Sequence, residues 1–108
     1  MLKIYEELEY ARYTDNLESV INKLGGGVEF LRKEYEADYQ GEVDVDILLN
    51  DGRVFSYYYG YGSCSGCDEW EARELSDEEI EAAMLQECTI FDNRESYDKW
   101  RESVAANA

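Results

Sequence analysis

Two cysteines at CxxC spacing, Cys64 and Cys67, form the motif of this chain most closely associated with chemistry. One such pair between a strand and a helix is the placement of a thioredoxin-like redox centre. A nucleophilic thiol needs a lowered pKa, and the acids that follow at Asp68, Glu69 and Glu71 would raise the pKa instead. The chain has no proline, so no cis-proline can face the thiols. The sequence therefore disfavours redox catalysis.

Zinc binding is the second chemistry that these thiols suggest. Structural zinc sites usually take four Cys or His ligands, typically in two pairs, whereas this chain offers Cys64, Cys67 and Cys88 and has no histidine. A fourth ligand would have to be a carboxylate or come from another subunit. The alternatives are small buried thiols in a glycine-rich corner or a reversible local disulfide. Cys88 falls on an apolar helical stripe, which is typical of core, and we expect no cofactor.

Other catalytic arrangements lack the residue types they need. Without histidine the chain has no Ser-His-Asp arrangement and lacks the commonest general base. The glycines at 60, 62 and 66 lack the lysine and the spacing of a phosphate-binding loop. We therefore expect a protein that is not an enzyme.

Charge is the strongest signal in the composition. The 108 residues include 26 Asp and Glu against 10 Lys and Arg, for a formal net charge of −16. Such an excess repels nucleic acid and anionic membranes, and the chain has no basic stripe of the kind that binds nucleic acid directly. The expected partners are basic protein surfaces. The alternative is that the charge confers only solubility.

Alternating residues predict a β-meander in the middle of the chain. The segment 42–49 alternates apolar with mostly acidic residues, the period of a half-buried strand. Residues 50–52 read Asn-Asp-Gly, a hairpin signal, and the tyrosine-rich segment 53–61 would be the return strand. The alternation over 31–39 suggests a further strand, although a helix is also compatible with it.

Three-residue loops at 40–42 and 50–52 would put the apolar side chains of these strands on one face of the sheet. The first loop places Tyr39, Ala37 and Tyr35 opposite Val43, Val45 and Ile47, in that order. The second loop places Phe55, Tyr57 and Tyr59 opposite Ile47, Val45 and Val43, in that order.

The other face of the meander is acidic in this arrangement. Asp38 would lie beside Asp44, Glu36 beside Asp46, and Tyr58 beside Asp44. Like charges directly opposite each other destabilise a sheet, so these acids are either solvated at low cost or kept for a basic partner. Tyrosine beside acid suits contact with Arg and Lys. The candidate partner-binding residues are Glu34, Glu36, Asp38, Asp44, Asp46 and Tyr58.

Helices are predicted before and after the meander. Residues 4–13 would form one helix, and a capping box at 15–18 opens a second that ends at the glycines 25–27. A capping box at 76–79 opens a further helix, and Asp92 or Asn93 caps the last one. The predicted fold is therefore α+β, a single domain over 1–108. It has a three-stranded antiparallel meander with N-terminal and C-terminal helices packed on one face.

The segment from Gly60 to Asp68 carries a resemblance to known proteins. It contains the run Tyr-Gly-Ser-Cys-Ser-Gly-Cys-Asp after a strand that begins near Asp51-Gly52-Arg53, and it resembles small uncharacterised acidic proteins of bacteriophages and prophages. The resemblance implies no assigned activity. Some small acidic phage proteins inhibit host nucleic-acid machinery by imitating the charge of DNA, and this chain is similar to them in size and charge.

Three functions are compatible with these features. The first is a non-catalytic acidic inhibitor, phage-encoded as the resemblance implies, that occupies the basic nucleic-acid-binding surface of a host protein such as a restriction or CRISPR effector. The second is a thiol or zinc protein built on Cys64 and Cys67. The third is a phage interaction module whose charge confers only solubility. The N-terminus has no secretory apolar segment and no run is long enough to span a membrane, so we expect a cytoplasmic protein.

Overall fold

The computed structural model describes residues 2–37, 40–62 and 69–106, which form an α+β fold. Its sheet has four antiparallel strands in the order β1-β2-β3-β4. The elements in chain order are α1 (Ile4–Glu7), α2 (Thr14–Lys23), β1 (Gly27–Glu36), β2 (Gly41–Leu49), β3 (Val54–Tyr61), α3 (Glu69–Ala72), α4 (Asp77–Glu87), β4 (Thr89–Phe91) and α5 (Arg94–Ala106).

The pairing of β2 with β3 confirms the predicted register. Val43 lies opposite Tyr59, Val45 opposite Tyr57 and Ile47 opposite Phe55. These side chains point to one side, which we call the core face, and the intervening residues of β2 point to the opposite side, which we call the outer face. Period-two alternation on both strands and a short turn fixed this register, because a slip of one residue would expose every apolar side chain.

The predicted register of β1 is wrong by four residues, although segment 31–36 is a strand. Tyr35 lies opposite Val43 rather than Ile47, and Arg32 lies opposite Asp46. In the predicted register Glu36 would have faced Asp46, which is fully buried. The observed register gives that buried carboxylate a cationic partner, and an unpaired buried charge is strongly destabilising. Two irregularities in the pairing, near Val28 and Leu31, accompany the shift.

The fourth strand, β4, corrects the prediction of a three-stranded sheet. Its three residues pair with Val54–Ser56 at the start of β3. A segment this short cannot display a clear period of two, because alternation needs at least about four residues to be recognised.

The core face is covered by α1, α2 and α4. Their apolar side chains pack in one cluster with the inward side chains of β2 and β3. The fully buried members include Ile4, Leu8, Leu17, Val20, Met84, Val43, Val45, Ile47 and Phe55. The helices before and after the meander therefore share this face, as predicted, with one exception.

The exception is α5, which packs on the outer face and corrects the prediction that all helices lie on one side. The hydroxyl of Tyr97 reaches Asp46, whose side chain belongs to the outer face. The Phe91 ring of β4 contacts the rings of Tyr97 and Trp100 at centroid distances of 5.6 and 5.2 Å. The apolar stripe of α5 thus covers the end of the sheet nearest β4.

The helix boundaries follow local chemistry that the sequence showed only in part. The predicted helix 4–13 ends at Glu7, and Tyr10 and Tyr13 have left-handed backbone conformations with φ of 66° and 65°. The predicted box at 15–18 does not form, because Glu18 instead accepts a hydrogen bond from the backbone N–H of Ile4 at 3.0 Å. The box between Ser76 and Glu79 is confirmed.

Candidate functional site

The outer face of the sheet divides into two halves that differ in what covers them. The half next to β4 lies under α5 and contains Arg32, Asp46 and Ser56. The half at the β1–β2 turn is exposed and contains Glu34, Glu36, Glu42, Asp44 and Tyr58. We call the first set, with Tyr97, the buried polar cluster and the second the open acidic patch.

Asp46 is the centre of the buried polar cluster. Its carboxylate accepts hydrogen bonds from Arg32 Nε at 2.9 Å, from Ser56 Oγ at 2.6 Å and from the Tyr97 hydroxyl at 2.6 Å. Every donor comes from a different element, namely β1, β3 and α5. This carboxylate therefore ties α5 and three strands together.

The pKa of Asp46 reflects two opposing effects, burial and hydrogen bonding. Burial alone would raise this pKa, but hydrogen bonds from Arg32, Ser56 and Tyr97 and the positive charge of Arg32 overcome it, so the pKa lies below its usual value. Burial and the bond to Asp46 raise the pKa of Tyr97 to about 12. The cluster is therefore an ionised carboxylate held by protonated donors throughout the neutral range.

Arg32 lies on the boundary between the two halves. Its guanidinium pairs with Asp44, with Asp46 and, at 3.4 Å, with Glu34. These contacts, led by the hydrogen bond to Asp44, outweigh partial burial and raise the pKa of Arg32. One cation thus serves three carboxylates, which leaves an excess of negative charge even where the patch contains its own arginine.

The open acidic patch places like charges opposite each other. Glu34 faces Asp44 and Glu36 faces Glu42 across the β1–β2 pair. Directly opposed side chains in an antiparallel pair have Cβ atoms about 4.5–5.5 Å apart, and residues two apart along a strand are about 6.7 Å apart. Four carboxylates therefore occupy a small area of sheet surface.

Tyr58 extends the patch onto β3. Its side chain is 57% exposed, it lies opposite Asp44 as predicted, and its hydroxyl donates to Glu42 at 2.9 Å. This hydrogen bond, with the charge of Glu42, raises the pKa of Tyr58. An exposed aromatic ring beside carboxylates can accept both a cation–π contact and an ion pair from a basic side chain.

A close contact between Gly41 and the ring of Tyr61 lies at the end of the β1–β2 pair. Gly41 lies directly beneath the Tyr61 ring, so a side chain at position 41 would overlap that ring and the backbone carbonyl of Glu36. The Tyr61 hydroxyl donates to the same carbonyl at 3.2 Å. The requirement for glycine here is steric, and it fixes the position of Glu36 at the end of β1.

Most of the basic side chains are used within the molecule. At least eight of the ten form ion pairs with acids, and four of these eight, namely Arg12, Lys23, Arg32 and Lys33, pair with acids far away in the sequence that only the fold brings together. The eight are Lys3, Arg12, Lys23, Arg32, Lys33, Arg53, Arg94 and Lys99. The net charge of −16 is therefore carried by surface carboxylates.

The predicted partner-binding residues separate into three groups. Glu34, Glu36, Asp44 and Tyr58 lie together in the open acidic patch. Asp46 was wrongly placed at the surface, since it is fully buried. Asp38 lies outside the described residues, and its predicted position beside Asp44 is taken by Glu34. Glu42, which belongs to the same alternation on β2, was missed because it had been assigned to a loop.

The cysteines divide between described and undescribed positions. Cys64 and Cys67 lie outside the described residues, so the thiol and zinc alternatives remain predictions. Cys88 ends α4, its thiol contacts the Leu85 carbonyl at 3.4 Å, and burial raises the pKa of this thiol. Within residues 2–37, 40–62 and 69–106 no group of three or more potential Cys, His or carboxylate ligands is arranged to hold a metal ion.

A groove runs between α5 and the outer face, beside the open acidic patch. Its walls include Asp44 and Tyr58 from the sheet and Trp100, Arg101 and Val104 from α5. The Trp100 side chain is 38% exposed. The patch thus continues into a concave surface with aromatic and acidic walls.

Comparisons with known proteins identify no relative. Protein-family models, curated proteins and solved structures were compared with the chain, and none gave a significant match. Among the helices of the described part, none has the length and apolar character needed to cross a membrane. The resemblance to small phage proteins remains a prediction.

Proposed function

We propose that this chain is a non-catalytic acidic binding protein that occupies the basic nucleic-acid-binding surface of another protein, in the manner of a phage-encoded inhibitor of a host enzyme. The observation that carries the proposal is the open acidic patch, where Glu34 faces Asp44 and Glu36 faces Glu42 on exposed sheet surface. Folding does not need this arrangement, because neutral or opposite-charge pairs stabilise a sheet better.

The internal pairing of the basic side chains supports the same function. A basic groove that binds DNA presents Lys and Arg to a backbone with one negative charge per about 1.7 Å of helix axis. A competitor must present carboxylates that its own cations do not neutralise. In this chain most cations pair with acids outside the open acidic patch, and Arg32 pairs with Glu34 and Asp44 within it. Glu36 and Glu42 pair with no cation among the ion pairs described.

The mechanism follows from electrostatic steering. Opposite charges raise the association rate of two proteins and make the rate fall steeply with salt. Binding of the patch would block the groove for nucleic acid, so inhibition is competitive and requires no chemical step. The aromatic ring of Tyr58 adds a contact that distinguishes an arginine-rich surface from a diffuse positive field.

The test is capture from a nuclease-treated bacterial lysate on the immobilised protein, with washes at low and high salt and elution by duplex DNA. The proposal expects a nucleic-acid-binding protein that is retained at low salt, released at high salt and displaced by DNA. The matched variants are Glu36→Gln/Glu42→Gln in the patch and Glu9→Gln/Glu78→Gln at exposed positions outside it. Both remove two charges.

Comparing these variants separates a specific surface from general charge. The patch variant should lose the captured protein, and the control variant should retain it. Equal losses from both variants, or a captured protein indifferent to salt and DNA, would contradict the proposal. Such a result would favour an interaction module whose charge confers only solubility.

A further inference from the structure

The groove between α5 and the outer face has the chemistry of a binding site for one cationic side chain. Asp44 and Glu87 supply carboxylates, and Tyr58 and Trp100 supply exposed aromatic rings. Arg32 also lines the groove and pairs with Asp44, so Glu87 is the carboxylate without a cation among the ion pairs described. Glu87 at the end of α4 is itself exposed and accepts a hydrogen bond from the Tyr57 hydroxyl at 2.9 Å. That contact uses one carboxylate oxygen of Glu87 and leaves acceptor capacity on the other.

Trp100 is held in place although it is partly exposed. Its ring packs against Phe91 at a centroid distance of 5.2 Å and lies 6.3 Å from the ring of Tyr97. Tyr97 is in turn fixed by its hydrogen bond to the buried carboxylate of Asp46. The indole is therefore positioned in advance, so a ligand that stacks on it loses no binding free energy in ordering the ring.

The chain already places a guanidinium on this indole. The Arg101 guanidinium carbon lies 5.5 Å from the centroid of the Trp100 ring, within the range of a cation–π contact. Arg101 is also one of the residues that line the groove. An internal cation thus occupies part of the surface that a partner's cation would use.

We infer that this groove receives an arginine side chain of the basic partner, whose guanidinium stacks on Trp100 in competition with Arg101 and pairs with Glu87 and with Asp44, which it shares with Arg32. The inference rests on the proposed function, because it names the contact that anchors the basic surface beside the open acidic patch. Arginine suits the site better than lysine, since a planar and weakly hydrated guanidinium both stacks on an aromatic face and pairs with carboxylates.

The direct test uses a small probe and needs no identified partner. N-acetyl-arginine amide is titrated into the full-length ¹⁵N-labelled protein, with N-acetyl-citrulline amide as the neutral analogue of the same shape. The chain has two tryptophans, and Trp70 is buried in the core face cluster. The Trp100 indole signal should shift in a saturable way with the arginine probe, while the Trp70 signal remains unchanged.

Two conservative variants identify the contacts. Arg101→Gln removes the competing cation and should tighten binding of the arginine probe roughly two- to fivefold, the effect of one exposed cation–π contact. Glu87→Gln keeps an acceptor for Tyr57 and should weaken binding by a similar factor. Arg101 is partly exposed and Glu87 is exposed, so neither substitution removes a side chain from the core. Equal shifts with arginine and citrulline probes, or weaker binding by Arg101→Gln, would overturn the inference.

The probe titration tests the inference, and the capture experiment tests the proposed function, so the two can be contradicted separately. If the arginine probe binds at Trp100 but no nucleic-acid-binding protein is captured, the groove is a guanidinium site and the proposed function is wrong. If the probe does not shift the Trp100 signal but the Glu36→Gln/Glu42→Gln variant still loses a DNA-displaceable partner, the inference is wrong and the proposed function stands.

Discussion

The covered and open halves of the outer face use the same residue types for different purposes. Asp46 and Asp44 are two residues apart on β2 and both contact Arg32. Asp46 is fully buried under α5 and accepts three hydrogen bonds, whereas Asp44 is partly exposed and faces Glu34. In the covered half the carboxylate stabilises the fold, and in the open half carboxylates are placed at some cost to it.

The difference shows that the position of α5, rather than the strand sequence, assigns the roles. Burial removes water from Asp46, so the hydrogen bonds from Arg32, Ser56 and Tyr97 must replace it. At the open end, water solvates Glu36 and Glu42, and their opposition costs little. A surface for a partner can thus be built on the same strands that carry a structural carboxylate.

The largest expected effect comes from breaking the buried polar cluster. Asp46→Asn removes the negative charge that faces Arg32, and the loss of one partner in a buried ion pair typically costs about 3 kcal/mol of stability. Urea denaturation followed by circular dichroism measures this loss as a lower free energy of unfolding.

The matched control is Asp44→Asn. It makes the same chemical change two residues before Asp46 on β2, at a carboxylate that contacts the same arginine. The side chain of Asp44 is partly exposed, so the expected loss is below about 1 kcal/mol. Equal losses from the two variants would show that the covered and open halves do not differ as described.

The second effect tests how α5 is attached. Tyr97→Phe deletes the hydroxyl that donates to Asp46 and leaves the ring packed on Phe91. Hydrogen bonds to charged groups contribute about 1.5–3 kcal/mol, and the carboxylate retains two donors, so a loss near 1.5 kcal/mol is expected. Tyr58→Phe, which removes a hydroxyl bonded to Glu42 in the open half, should change the free energy of unfolding by less than about 0.5 kcal/mol.

The pH dependence gives a third way to distinguish the halves. The pKa of Asp46 is lowered in the folded protein, so its contribution is fully present above the unfolded value of about 3.9 and is lost as pH falls through the folded value. The stability difference between the natural chain and Asp46→Asn should therefore stay constant from pH 7 to about 5 and narrow below about pH 4. Narrowing already between pH 7 and 5 would contradict the lowered pKa.

The sequence determined the central hairpin because two strands carried the same information. Apolar residues alternate on both β2 and β3, and one register satisfies both. On β1 the alternation of Tyr35 with acids is equally compatible with registers that differ by two or four residues. The deciding interaction, Arg32 with Asp46, could be recognised only by knowing that Asp46 is buried.

The position of α5 was unpredictable for a related reason. Its apolar stripe of Tyr97, Trp100 and Val104 shows that the helix packs on something, but the stripe does not say which face of the sheet it covers. An acidic sheet face can bury a helix only where its carboxylates gain hydrogen-bond donors, and here the Tyr97 hydroxyl and Arg32 together satisfy Asp46. Four of the six predicted partner-binding residues still lie together, because strand alternation alone put them on the outer face.

The smallest expected effect comes from the open acidic patch, and it is a gain rather than a loss in the free energy of unfolding. Glu36→Gln/Glu42→Gln relieves a like-charge pair, so it should raise the free energy of unfolding by a few tenths of a kcal/mol. The gain should shrink as added salt screens the repulsion, since the Debye length falls from about 30 Å at 0.01 M to about 10 Å at 0.1 M. Urea denaturation at both ionic strengths measures this gain, with Glu9→Gln/Glu78→Gln as the control for general charge.

The Glu36→Gln/Glu42→Gln variant should also lose its partner, so stability and binding would move in opposite directions. A patch variant less stable than the natural chain would show that Glu36 and Glu42 serve the fold, and the contrast between the halves would disappear.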